Sequence, residues 1–167
     1  MKSGMKVTED NAESVLAALK ELSGMDVLVG IPEGNAPRED GKLNNAEIGY
    51  LQSTGATIQI DGVTVTLPPR PFLDIGIEDT RSRTTAHLKA AAGLVLEGNA
   101  DGARMELERA GIIASDGAKK VISDGDRLQP LSEKTLQARR AQGLPGEKPL
   151  WAHGYLLRSI TYVVRKK

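Results

Sequence analysis

Ile58-Gln-Ile-Asp-Gly-Val-Thr-Val-Thr-Leu-Pro-Pro-Arg-Pro-Phe72 is the stretch from which the rest of the chain can be read. Asp61-Gly62 is a dipeptide favoured by two-residue hairpin turns, whose central residues need positive φ. Closing the turn there pairs Ile60 with Val63, Gln59 with Thr64 and Ile58 with Val65. The apolar partners then share one face, and Gln59, Thr64 and Thr66 share the other. Register and amphipathicity agree, which specifies a hairpin. Pro68, Pro69 and Pro71 exclude a helix interior or a central strand. They make a stiff exit from the hairpin, with Pro71 suited to the first turn of a helix.

Downstream, that helix is predicted to run to Glu97, with Leu88, Ala91, Ala92, Val95 and Leu96 as its apolar stripe. A break at Gly98-Asn99 or Asp101-Gly102 leads to a second helix over 103–122, whose buried side is expected to hold Met105, Ile112, Ile113 and Val121. Ser123-Asp-Gly-Asp126 closes it. Ser132 caps a short basic helix ending at Arg139-Arg140. A Gly- and Pro-containing loop over 143–149 follows, then a C-terminal turn and strand (149–167) with Ile160, Tyr162 and Val164 facing the core. Upstream, Thr8 or Asp10 can cap a helix with Ala12, Val15, Leu16, Leu19 and Leu22 on one face. Met25-Asp-Val-Leu-Val-Gly-Ile31 reads as a buried strand. Residues 32–43 read as a long loop, and a short helix from Asn44 or Asn45 stops at Thr54-Gly55. Four strands and about four helices predict a single α+β domain over 1–167, with helices packed on one small antiparallel sheet.

Twenty-two basic side chains balance 22 acidic ones, so no global field would hold a polyanion. Cysteine is absent, which excludes disulfides, a thiolate nucleophile and Cys-ligated zinc. MKSGMKVTEDNAESV has no apolar core, so no signal peptide is expected, and no apolar run is long enough to span a membrane. One Trp, one Phe and three Tyr leave few rings for stacking on nucleic-acid bases.

Candidate chemistry is thin. His87 falls mid-helix and reads as a polar surface or packing residue; His153, in a turn, is expected to bond locally to backbone. Asp124 and Asp126 belong to a helix-terminating turn without calcium-loop spacing. Gly143-Leu-Pro-Gly146 lacks the Gly-Lys-Ser/Thr ending of a phosphate loop. Arg139-Arg140 with Lys134 forms a modest basic face, which is either solvated or turned to an acidic protein or DNA. No catalytic residue, cofactor or metal site is expected from these patterns.

Three ordered stretches carry a resemblance. They are Val29-Gly-Ile-Pro32 with Ala46-Glu-Ile-Gly-Tyr-Leu-Gln-Ser-Thr-Gly55; Pro68-Pro-Arg-Pro-Phe-Leu73 before a long helix; and Pro130-Leu-Ser-Glu-Lys-Thr135 with Arg139-Arg140, then Lys148-Pro-Leu-Trp-Ala-His-Gly-Tyr-Leu-Leu-Arg-Ser-Ile-Thr161. Together, over about four-fifths of the chain, they resemble the neck, tail-completion and virion-morphogenesis proteins of tailed phages, including Mu-like prophages. Leu67-Pro-Pro stands where the family has Ile-Pro-Ala, and Ala152-His153-Gly154 where it has Asp-Thr-Gly. The resemblance implies a non-enzymatic ring subunit at the head–tail junction, serving as neck, tail-completion or tail-terminator protein. Its partners would be the head connector, the tail tube and copies of itself, with no small-molecule substrate, nucleic acid or membrane. It would act in the bacterial host cytoplasm during assembly and then in the virion.

Gly55, Pro69, Arg70, Pro71, Phe72, Arg139, Arg140, Gly154 and Ser159 become candidate interface or motif residues. Arg70, held between prolines, is either an interface anchor or a cap on nearby carbonyls. As an anchor, its charge reversal would weaken an interface and spare the fold. Phe72 is expected in the core. The 32–43 loop is either ordered by neighbours or a plain linker. Two rival readings are a small phage DNA-binding regulator, resting on Lys119-Lys120, Arg139-Arg140 and Arg165-Lys-Lys167, and a phage hydrolase, which would need convergent acid or base side chains.

Overall fold

A computed structural model describes residues 10–33 and 43–167, with the Ile60 side chain left out. Thr8 and most of the expected loop (34–42) therefore lie outside the described residues. The order is α1 (Ala12–Ser23), β1 (Met25–Gly30), α2 (Asn45–Thr54), β2 (Ala56–Ile60), β3 (Val63–Leu67), α3 (Phe72–Leu96), α4 (Ala100–Asp124), α5 (Glu133–Ala141), α6 (Tyr155–Ser159) and β4 (Thr161–Lys166). The fold is α+β, with a long helix directly after the hairpin.

The centre is the α3–α4 pair. Asn99 caps α4, its side chain accepting from the Gly102 N–H at 2.8 Å, and Gly98 at φ 76° makes the reversal. Near the turn His87 meets Glu106; at the far end Gly76 meets Gly117 and Ala118, so the two helices run antiparallel. They approach closely because the contact residues are small. A Cβ on Gly76 would fall 2.3 Å from the Ala118 nitrogen, and one on Gly117 would fall 2.6 Å from the Gly76 carbonyl oxygen. The buried face of α4 accordingly reads Ala103, Leu107, Ala110, Gly111, Ala114, Ser115, Ala118, Val121 and Ile122. This corrects the expected face: Met105 and Ile112 point outward, at 54% and 45% exposure, while Val121 is buried. Large side chains would hold the helices apart, so the small-residue stripe faces in. Polar pairs flank the contact. His87 and Arg109 hold the Glu106 carboxyl below the usual carboxylate range, and Arg127 does the same for Asp79.

Two apolar clusters cover the ends of this pair. One gathers Phe72, Ala118, Val121, Ile122, Leu128, Leu156 and Ile160; the other is built on Ala91, Ala103 and Leu107, with Val27 and Val164 of the strands packed against it. Phe72, placed by the Pro68–Pro71 exit, is fully buried as expected. Of the expected α3 stripe, Ala91 is buried and Leu88 and Leu96 are exposed; α1 likewise turns Leu22 inward and leaves Leu16 and Leu19 outside.

The strands form two separate two-stranded ladders, not one sheet. β1 pairs antiparallel with β4, from Met25 opposite Lys166 to Gly30 opposite Thr161. Tyr162 of β4 lies against α4 where Gly111 leaves room for its ring. The hairpin β2–β3 has the expected register, Ile60 opposite Val63 through Ile58 opposite Val65, with Asp61 and Gly62 at φ 50° and 78°. Its apolar face is covered only towards the base: Leu67 and Val65 are half-buried, and Val63 is 55% exposed. One helix was not expected: Gly154, at φ 71°, starts the single turn of α6 before β4. Among the described residues, no helix is long and apolar enough to cross a membrane.

Two stability outcomes follow from the packing. Phe72→Ala should cost about 3–5 kcal/mol, measured by urea titration; a loss below about 1 kcal/mol would show that the α3 corner repacks freely. Gly76→Ala should destabilise by about 1–3 kcal/mol despite alanine's better helix propensity. Gly93→Ala, on the same helix with nothing within 4 Å of its added Cβ, should stabilise by up to about 1 kcal/mol. Equal effects at the two glycines would refute the close-approach account.

Candidate interface site

The segment between hairpin and α3 has few conformations, since three of its four residues are proline. It is tied to α2 by the Arg70 N–H, which donates to the Gln52 carbonyl at 2.8 Å. Gly55 ends α2 at φ 75°, where a Cβ would press on the Leu67 carbonyl oxygen at 2.9 Å. A left-handed residue without a side chain is thus what lets α2 and the base of β3 meet.

Arg70 then turns inward and is only 5% exposed. Its Nε donates to the Gln129 carbonyl at 2.7 Å, Nη2 to the Pro130 carbonyl at 3.0 Å, and Nη1 to Gln52 Oε1 at 3.1 Å. It clasps α2, the proline segment and the α4–α5 connection. Of the two readings left open by the sequence, capping carbonyls is the one seen. Its burial against these carbonyls makes a charge reversal that spares the fold unfavourable. Burial, and then the like charge of Arg139, lowers the Arg70 pKa; the group still stays protonated at ordinary pH.

Arg139 plays a parallel part. Ser132 caps α5, its Oγ accepting from the Thr135 N–H at 3.2 Å. At the other end of α5, Arg139 Nη1 donates to the carbonyls of Lys148 at 3.0 Å and Trp151 at 3.5 Å. Lys148 Nζ in turn donates to the Ser123 carbonyl at 2.5 Å, joining the C-terminal turn to α4. Arg140, by contrast, is exposed and paired with Glu133 and Glu147.

Between these elements lies a cleft of about 510 Å³, bordered by α2, β3, Arg70, the 129–132 connection, α5 and the turn before α6. Segments from all three motif stretches meet around it. Of the candidate residues, Arg70 and Arg139 line it directly. Gly55 and Pro69 brace its rim, the added Cβ of Gly55 meeting Pro69 Cδ at 3.1 Å. Half-buried Pro71 precedes α3, and Phe72 belongs to the core behind it. Gly154 starts α6, and Ser159 Oγ donates to the Leu156 carbonyl within it. Sequence reading missed Gln52 and the Gln129 and Pro130 carbonyls. Gln52 carried a faint signal, three residues before Gly55 on a motif helix; backbone carbonyls carry none.

The remaining candidates lie elsewhere. His87 Nδ1 is 2.5 Å from Glu106 Oε2, joining α3 to α4. His153 is exposed with its ring 5.4 Å from that of Tyr155, and its carbonyl accepts from Arg158. Asp124 pairs with Lys120. The Gly143 N–H donates to the Arg140 carbonyl, so this glycine closes α5. Lys119, Lys166 and Lys167 pair with Asp116, Glu21 and Asp26, so several charges of the basic clusters are matched locally. Among the described residues, no group of three or more His, Asp or Glu is placed to hold a metal ion. No protein-family model matches the chain, and comparisons with curated proteins and with solved structures return no match.

The clasp is testable. Arg70→Lys should lose at least about 2 kcal/mol, because an ammonium cannot reproduce the fork that reaches three acceptors. Arg70→Glu, setting a carboxylate against two carbonyls, should leave little folded protein. Thermal melts of both variants matching wild type would show the clasp to be dispensable.

Proposed function

We propose that the chain is a structural subunit of the head–tail junction of a tailed phage or prophage, of the neck or tail-completion type. It would join a ring between head connector and tail tube, in the host cytoplasm during assembly and afterwards in the virion. The observation carrying this reading is the convergence of the resembling segments. Parts of all three, from Ile48 to Leu156 in sequence, come together around one cleft and its clasp, while residues 29–32 line a separate pocket.

The exposed strand edges support it. Among the described residues each ladder has only two strands, so β1, β2, β3 and β4 each have a ladder partner on one side. Two-stranded ladders are marginal alone, and open edges are ready templates for neighbours. Apolar side chains sit beside them: Val63 near the hairpin tip, and Leu28 opposite Val163 on the outer side of the β1–β4 ladder. A subunit that gains strand neighbours in a ring would use these features, and modest contacts would leave it monomeric until templated.

The decisive experiment is electron microscopy of induced lysates from a prophage deleted for this gene. Filled heads and separate tails, with few joined particles, are expected, while replication and lysis proceed. Normal yields of joined, infectious virions would end the proposal. Loss of early DNA synthesis would favour a regulator instead.

A further inference from the structure

The cleft is unusual in its charge. Sixteen residues line it; two are arginines and none is Asp or Glu. Among the described residues, neither Arg70 nor Arg139 belongs to an ion pair, although eleven such pairs occur elsewhere. Arg70 is held entirely by neutral acceptors while 95% buried. A buried cation normally carries a counter-charge, because desolvation is costly without one. A guanidinium has five N–H groups; the three bonds engage one on each nitrogen, leaving one on each terminal nitrogen. Arg139 uses a single terminal nitrogen for its carbonyl contacts. The like charge of Arg139 also weighs on Arg70, a repulsion that an anion between them would relieve.

The rest of the lining narrows the ligand. Ile48, Leu131, Leu150 and Leu156 give apolar walls. Val65, Thr66 and Leu67 of β3 form one border, and among the described residues β3 has a ladder partner on one side only. An extended chain can add to such an edge through its backbone while its side chains fill the cleft. We infer that the cleft is a docking site for an extended, apolar peptide segment of a partner protein, which places a carboxylate side chain between Arg70 and Arg139. Arginine's planar fork suits a carboxylate, and the rigid proline segment presents Arg70 with little ordering cost. The inference goes beyond the head–tail reading and does not depend on which assembly the subunit joins.

The test uses the whole chain and a fluorescein-labelled hexapeptide alternating leucine and glutamate, with anisotropy as readout. A Kd of about 10–100 µM is expected. The peptide with glutamine in place of glutamate should bind at least about tenfold more weakly. Arg139→Gln should lose a similar factor. Because Arg139 also braces the C-terminal turn, Thr135→Glu supplies a second variant. Thr135 lines the cleft at the third position of α5, where glutamate completes a capping box with Ser132. That variant should melt no lower than wild type yet lose at least about tenfold in affinity, because its carboxylate, capping Ser132 on the cleft wall, repels the glutamate of the peptide. Equal binding of the glutamine peptide, unchanged binding by Thr135→Glu, or no binding at about 1 mM would overturn the inference. So would full displacement of the peptide by millimolar inorganic phosphate, which would assign the arginines to phosphate instead.

Discussion

At Gly76 the backbone of α3 comes so near to α4 that no side chain fits between them, and the rest of the molecule is arranged around that contact. Close approach demands glycine and alanine on the facing stripes, and Thr80 keeps its hydroxyl satisfied there by donating to the Gly76 carbonyl. A small-residue seam buries little area per residue. The apolar stabilisation therefore moves to the two ends, where Phe72, Ile122 and Ile160 form one cluster and Ala91 and Leu107 anchor the other. The larger side chains of α4 that could not enter the seam, Met105 and Ile112, are left outside.

From one end of that seam the proline segment reaches across to the cleft. Its rigidity and the burial of Arg70 are two sides of one constraint. A flexible exit would pay conformational entropy to hold a guanidinium against carbonyls; prolines on both sides remove most of that cost. The carbonyls of Gln129 and Pro130 satisfy the group without neutralising it. What is stabilised is a positioned guanidinium whose planar fork reaches three neutral acceptors.

The basic clusters elsewhere show the contrast. Arg140, Lys119, Lys120, Lys166 and Lys167 all find carboxylates on their own or neighbouring elements. Such exposed pairs contribute little each, but they lower the local field that a polyanion would meet. The proposed assembly role draws instead on shape: open strand edges, half-covered ladders and one cationic cleft.

The hairpin, the stop at the prolines, the burial of Phe72 and the caps at Ser132 and Gly125 were legible along the chain, because each follows from near-neighbour rules of turn geometry, φ restriction and capping. The cleft that the resembling segments border was not legible there. The division of four strands into two ladders was hidden, since strand pairing between 25–30 and 161–166 depends on how the helices bring the termini together. The inward face of α4 was misread because the sequence advertises its large apolar residues, whereas a close helix contact selects the small ones. Arg70 was legible as a constrained residue and undecided as anchor or clasp. Only the tertiary structure placed Gln52 and the 129–130 carbonyls around it, and backbone acceptors leave no mark in a sequence because every residue carries one.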